Sequence, residues 1–155
     1  MKLELGIRYR IEEIVAHEAP MQLLDELVEY DDEHIVVSVT IRESTEFCEP
    51  GVGVPGWVGI EYMAQAVGAY SGILDVQAGR KPQIGLLLGS RRYRCSVPNF
   101  AVGSQLVVGA ALQLRDDSNL VVFHCTIAID GQPVANADLK AIQPDDVHAL
   151  VRAQS

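Results

Sequence analysis

Gly51-Val-Gly-Val-Pro-Gly-Trp-Val-Gly-Ile-Glu-Tyr-Met-Ala-Gln-Ala-Val-Gly-Ala-Tyr70 is the stretch that decides how this chain folds. A glycine-rich loop runs into Pro55 and Gly56, which suit a helix entry: proline tolerates the first turn and glycine permits close backbone approach. From Trp57 to Leu74 apolar residues such as Val58, Ile60, Met63, Val67, Tyr70 and Ile73 fall on nearly every face. A helix apolar all round is a buried one. The segment is therefore predicted to be a rod at the centre of the fold, ending near Asp75-Val-Gln-Ala-Gly79 ahead of Lys81-Pro82.

One acid interrupts the rod. Glu61 and Gln65 stand four residues apart, so helical spacing stacks them on one face. They lie beside a helix N-terminus, whose free N–H groups and positive dipole end favour negative charge on a ligand. Two readings stay open from the residues alone: a site for developing negative charge, or an acid placed to suit the dipole with Gln65 a satisfied core amide.

Working outward, the chain before the rod breaks at His17-Glu-Ala-Pro20, after a short helix or turn within Ile7 to Ala16. Met21 to Tyr30 is predicted to be a strand and Asp31-Asp32-Glu33 a turn. Ile35, Val37, Val39 and Ile41 then alternate with polar or solvent-side residues, the period of a half-buried strand. Glu43 to Val54 has no period and holds Pro50, Gly51 and Gly53, so it is expected to be a loop. After the rod, Ile84 to Ser96 reads as a strand bent at Gly89, and Pro98 to Gly103 as a turn. Leu106, Val108, Ala110, Leu112 and Leu114 alternate, as do Val121, Phe123, Cys125, Ile127 and Ile129. Asp130-Gly131 is a strong hairpin signal, Val134 to Ile142 a last strand, and Pro144 to Arg152 a short terminal helix.

Two strands, one long helix and about four more strands on short connections imply an α+β fold: the hot-dog arrangement, an antiparallel sheet wrapped around one central helix. At 155 residues, residues 1–155 suit a single domain. The open sheet edge leads us to expect a dimer. A net charge of −9 argues against nucleic acid as a partner. The longest apolar tract is broken by Glu61 and Gln65 and is not a membrane span. With no signal-like N-terminus and with three scattered cysteines, Cys48, Cys95 and Cys125, a cytoplasmic location is expected. Arg91-Arg92-Tyr93-Arg94 is a dense basic run on an acidic chain, suited either to docking an acidic partner or to guarding a strand edge.

Several stretches resemble the 3-hydroxyacyl-acyl-carrier-protein dehydratases. His17-Glu-Ala-Pro-Met-Gln-Leu-Leu-Asp25 is similar to that family's His-x-x-Pro-(Phe/Met)-x-Leu-x-Asp opening, and Pro55-Gly-Trp-Val-Gly-Ile-Glu-Tyr-Met-Ala-Gln65 to its Pro-Gly-x-x-x-x-Glu-x-x-Ala-Gln helix entry. Arg94 to Gly103 resembles its basic residue and proline turn, and Val134 to Leu139 its last core strand. The wording around Gly53 to Gln65, with Gly89-Ser-Arg-Arg-Tyr-Arg-Cys95, looks closer still to the dehydratase-like proteins of aryl polyene pigment clusters.

The resemblance implies a homodimer with sites at the subunit interface and an acyl group delivered on the phosphopantetheine of an acyl carrier protein, with no other cofactor. It implies that the Gly56 N–H polarises the thioester carbonyl, that Pro55, Trp57, Phe47 and Gln65 line the substrate, and that Glu61, buried and so able to hold a proton, handles the leaving 3-hydroxyl. Arg91, Arg92 and Arg94 would meet the carrier protein. One departure matters. The family's dehydratases have a catalytic histidine in a Gly-His-Phe-Pro motif fourteen residues before the glutamate, where this chain has Phe47, and no histidine lies between His34 and His124. His17 is the candidate replacement base, since imidazole titrates in the right range; a local packing role is its plain alternative. Cys48 is a weaker candidate, because a buried thiol is usually inert. His124 is expected to be exposed or paired across the sheet, and His34 and His148 to border a turn and the tail. Three functions follow: a 3-hydroxyacyl thioester dehydratase, an acyl thioesterase in which the helix acid activates water or attacks the carbonyl, or a non-catalytic hot-dog subunit in a heterodimer with a histidine-bearing partner.

Overall fold

The computed structural model describes residues 3–16, 21–82, 86–116 and 120–142. In chain order the elements are α1 (Ile11–Ile14), β1 (Glu26–Tyr30), β2 (His34–Thr40), β3 (Gly53–Pro55), a 3-10 turn (Gly56–Val58), α2 (Gly59–Gln77), β4 (Leu86–Cys95), β5 (Asn99–Ala101), β6 (Gln105–Arg115), β7 (Leu120–Ile129) and β8 (Gln132–Ile142). Six strands form one sheet in the order β1-β2-β6-β7-β8-β4, with every neighbouring pair antiparallel. β3 and β5 form a separate two-stranded ribbon.

Alternation explains the sheet. Ile35, Val37 and Val39 of β2, Leu106, Val108 and Ala110 of β6, and Val121, Phe123, Cys125 and Ile127 of β7 are all buried on the face that meets α2. Each large side chain so buried stabilises the fold by roughly 1.5–3 kcal/mol. The β7–β8 hairpin turns on Asp130 and Gly131, both left-handed at φ 52° and 78°, as the Asp-Gly pair predicts. From the helix side, Met63, Ala66, Tyr70 and Ile73 press into the sheet, and Tyr70 meets Phe123 edge-on with ring centroids 5.5 Å apart. Gly72 lets α1 close in on α2, since a Cβ there would collide with the Ile14 carbonyl. The expected hot-dog arrangement, one helix wrapped by an antiparallel sheet, is the arrangement present.

Three local expectations need correction and one is extended. The strand predicted over Met21 to Tyr30 begins only at Glu26, because the Gln65 side chain takes up the backbone of Met21 and Leu23. The loop before the helix contains β3, which was not expected: Gly53, at φ 132°, lies so close to β5 that a Cβ would strike the Phe100 carbonyl. The strand after the helix is irregular between Leu87 and Gly89, as predicted, and again between Arg91 and Arg94, where Arg92 adopts φ 58°. The rod is not buried all round. Trp57 and Glu61 are exposed and Ile60, Ala64, Gly68 and Ser71 half-buried, a continuous stripe at helical spacing that this chain's sheet does not cover. Among the described residues no helix is long and apolar enough to cross a membrane. The terminal helix expected over Pro144 to Arg152 lies outside the described residues.

Candidate active site

The local sequence explains how α2 begins. Pro55, with φ −55°, hands the chain to the 3-10 turn, and Gly59 continues it by donating its N–H to the Gly56 carbonyl. Gly56 is buried against the β4–β5 connection, where a Cβ would run into the Val97 carbonyl and the Cys95 sulfur. Its N–H donates to the Pro98 carbonyl at 2.9 Å. That bond corrects the role expected of Gly56, whose amide is already committed inside the protein. The next amide, that of Trp57, lies in the first helical turn, where an N–H has no acceptor within the helix. Gly56 contributes room for the turn.

Glu61 follows one helical turn after Trp57, on the uncovered stripe. The acid was expected in oily surroundings, but in the single chain its carboxylate is exposed. The cause is geometric: the sheet of one chain packs on one side of α2 and leaves this side open. Gln65, predicted to share the face of Glu61 and line the substrate, is instead buried. Its Oε1 accepts the Leu23 N–H at 2.8 Å and its Nε2 donates to the Met21 carbonyl at 2.7 Å. It is the satisfied core amide of the plainer reading, and it anchors the chain immediately after His17-Glu-Ala-Pro20. His17 lies outside the described residues.

Phe47 and Trp57 come together at the open face. Their rings meet edge to face at 6.0 Å, with Phe47 49% and Trp57 67% exposed. Phe47 sits at φ 68°, a left-handed conformation unusual for a bulky residue. Cys48 beside it is no better placed as a base: partial burial, then the charges of Glu43 and Glu49, push its thiol up. His124 pairs across β7 and β8 with Asp138 at 2.9 Å, as expected, and His34 with Asp31 at 2.7 Å. A cleft of about 750 Å³ lies between the N-terminal segment and β1, lined by Arg8, Tyr9, Arg10, Glu26 and Tyr30 among others; none of Phe47, Trp57 and Glu61 borders it.

Two tyrosines escaped the sequence reading. Tyr62, next to Glu61, is 1% exposed and packs near Phe100 at 6.2 Å, yet its hydroxyl has no hydrogen-bond partner among the described residues. Tyr93 extends from β4 between the exposed Arg92 and Arg94, and its hydroxyl donates to the Gly56 carbonyl at 2.6 Å. The basic run therefore borders the start of α2. The paired glycines Gly56 and Gly59 were the available signal, since both mark places where a neighbouring strand approaches the helix start.

A family model described as ApeP-like, ApeP dehydratase, matches residues 9–152. Among curated proteins, a 3-hydroxyacyl-[acyl-carrier-protein] dehydratase FabZ from Sinorhizobium fredii is 30% identical over 140 residues, 83% of this chain and 84% of that protein. The FabZ of Acinetobacter baylyi is 25% identical over 134 residues, covering 84% and 89%. Among solved structures, the dehydratase heterocomplex ApeI:P from Xenorhabdus doucetiae matches with a TM-score of 0.81 at 30% identity, over 96% of this chain and 99% of that one. A hypothetical thioesterase with coenzyme A from Streptococcus pneumoniae matches with a TM-score of 0.56 at 17% identity, over 75% and 82%, a likeness of fold alone.

Proposed function

The chain belongs to the ApeP-like dehydratase family, and from that premise we propose that it acts on 3-hydroxyacyl thioesters held on an acyl carrier protein. The reaction removes water to leave the trans-2-enoyl thioester, in fatty acid or aryl polyene assembly. The proton on C2 passes to a base, the C2–C3 double bond forms, and the C3–O bond breaks as Glu61 protonates the departing hydroxyl. The thioester oxygen is received by the Trp57 N–H at the positive end of α2. No cofactor takes part beyond the carrier's phosphopantetheine arm.

What supports this reading is the position of Glu61 on the open stripe of α2, one turn from the helix start and beside the exposed Phe47–Trp57 pair. A second hot-dog chain seated on that stripe encloses the carboxylate, and the desolvation favours its protonated form. The solved relative at 30% identity is itself a heterocomplex, which favours a partner that also brings the histidine missing from the position of Phe47. A homodimer in which His17 serves as base is the other arrangement. The anchoring of residues 21–23 by Gln65 supports it, because it ties the segment that follows His17 to α2. Exposed Arg91, Arg92 and Arg94, bordering the helix start through Tyr93, suit an acidic carrier protein.

The deciding assay supplies purified chain with a 3-hydroxyacyl carrier-protein thioester, alone and with a histidine-bearing hot-dog protein, and follows the acyl group by mass. Enoyl product from the chain alone, lost in His17→Ala, assigns the base to His17. Enoyl product only with the second protein assigns it to the partner. Free acid and thiol in place of enoyl product would refute dehydration in favour of thioester hydrolysis.

A further inference from the structure

The Gly56 carbonyl accepts two hydrogen bonds, from the Gly59 N–H and from the Tyr93 hydroxyl at 2.6 Å. That carbonyl and the Trp57 N–H are opposite ends of one planar, conjugated peptide unit. Electron density drawn toward the oxygen makes the proton on the nitrogen a better donor, and hydrogen bonds in series polarise one another. We infer that Tyr93 is a positioning residue of the acyl site: through the Gly56–Trp57 peptide it aims and strengthens the amide that receives the thioester oxygen. The inference rests on the acyl-handling reading above and adds a residue to it.

The surroundings are shaped for this contact. A Cβ on Gly59 would collide with the Tyr93 hydroxyl, and one on Gly56 with the Val97 carbonyl and Cys95 sulfur. The side chain missing at Gly59 opens the slot that the phenol tip occupies, and the one missing at Gly56 lets the helix start close on the β4–β5 connection. A phenylalanine ring would fill nearly the same volume without placing a polar atom in a half-buried position, where an oxygen is costly unless bonded. Burial also holds the Tyr93 phenol well above the ordinary tyrosine range, so it remains a protonated donor at every physiological pH. Because Tyr93 lies between Arg92 and Arg94, the peptide that meets the substrate is braced by the strand proposed to meet the carrier.

The test reads the substrate carbonyl directly. A saturated acyl-pantetheine thioester, ¹³C-labelled at the carbonyl and lacking the 3-hydroxyl, binds without reacting, and difference infrared spectroscopy follows its C=O stretch on the protein in its native assembly. The wild-type protein is expected to move the stretch to lower wavenumber and Tyr93→Phe to lose much of that shift. Turnover of the 3-hydroxyacyl substrate should fall about tenfold in kcat with KM little changed, the size expected when one hydrogen bond acting on developing charge is removed. Gly59→Ala, which displaces the hydroxyl without removing it, should weaken the shift in the same way, and the double variant should add little. A full shift retained in Tyr93→Phe overturns the role of Tyr93 while leaving the site in place. A bound thioester with no shift in the wild-type protein overturns the helix start as its binding site, and this inference with it. Should Tyr93→Phe also melt earlier, the spectrum still decides, because it is recorded on folded, ligand-bound protein.

Discussion

Replacing Gln65 by methionine tests how the N-terminal segment is held against the helix. Methionine has nearly the same length and volume, so the core keeps its filling and only two hydrogen bonds are lost. Those bonds, 2.8 Å from the Leu23 N–H and 2.7 Å to the Met21 carbonyl, are partly buried, and the substitution leaves both backbone groups without their partners. A lost hydrogen bond contributes about 1 kcal/mol and an orphaned buried group about 1–3 kcal/mol. Water reaches part of this segment, which puts the expected loss at about 2–3 kcal/mol. For a chain of this size, each kcal/mol lowers the melting temperature by about 2–4 °C. Urea unfolding at fixed protein concentration is the assay; the midpoint should fall with the slope unchanged. Hydrogen exchange supplies the local readout, with the Leu23 amide losing protection relative to the amides of β6 and β7. A Gln65→Met protein within about 0.5 kcal/mol of wild type, with Leu23 protected as before, would refute the anchoring role and the link it draws between α2 and the His17 segment.

Glu61→Gln should abolish formation of enoyl product while leaving the melting temperature within about 2 °C of wild type, because the side chain lies outside this chain's own core and the substitution keeps its size; a large loss of stability would place the carboxylate in a structural network instead. Tyr62→Phe removes a buried hydroxyl that has no partner among the described residues, so stability should be unchanged or higher by up to about 1 kcal/mol; a loss above that, measured by urea midpoint, would mean the oxygen is bonded. Burial pushes the Cys125 thiol up to about 12, above the unfolded value of about 8.5. The folded state favours the neutral thiol, so this contribution is whole below about pH 8.5 and is lost as pH rises toward the folded value. Urea midpoints should therefore fall between pH 8 and pH 10, and less steeply in Cys125→Ala; equal slopes would refute the assignment. Gly72→Ala should cost several kcal/mol by forcing the Ile14 carbonyl away from α2, and differential scanning calorimetry of the pair reads it.

Legibility in the sequence followed periodicity. β2, β6 and β7 were readable because every second residue is apolar and the sheet has one face on the helix. The Asp130-Gly131 turn was readable because its left-handed backbone suits those two residues. The stripe of α2 was not, because Trp57, Ala64 and Gly68 are apolar or small and look like core residues. An open apolar helix face carries the same sequence pattern as a buried one. β3 is too short to show a period, and its pairing depends on Gly53 approaching Phe100, a contact between segments distant in sequence. Glu61 stands out in the sequence by its isolation and is exposed, whereas Gln65, in the same motif, is buried and bonded to the Met21–Leu23 backbone, because helical spacing of four residues still leaves about 40° between side chains. That rotation suffices to bury one and expose the other. Tyr93 was hidden by the irregularity around Arg92, which breaks the inside-outside count along β4.

That irregularity limits how the strand can change over evolutionary time. An extra residue in one partner of an antiparallel ladder resets which side every later side chain faces. Removing a single codon between Arg91 and Arg94 would restore regular pairing with β8 across that stretch and, in doing so, rotate either the phenol or the guanidinium groups to the opposite surface. A point replacement on β4 changes one side chain at a time, whereas an insertion or deletion there changes the facing of all that follow and is expected to be purged.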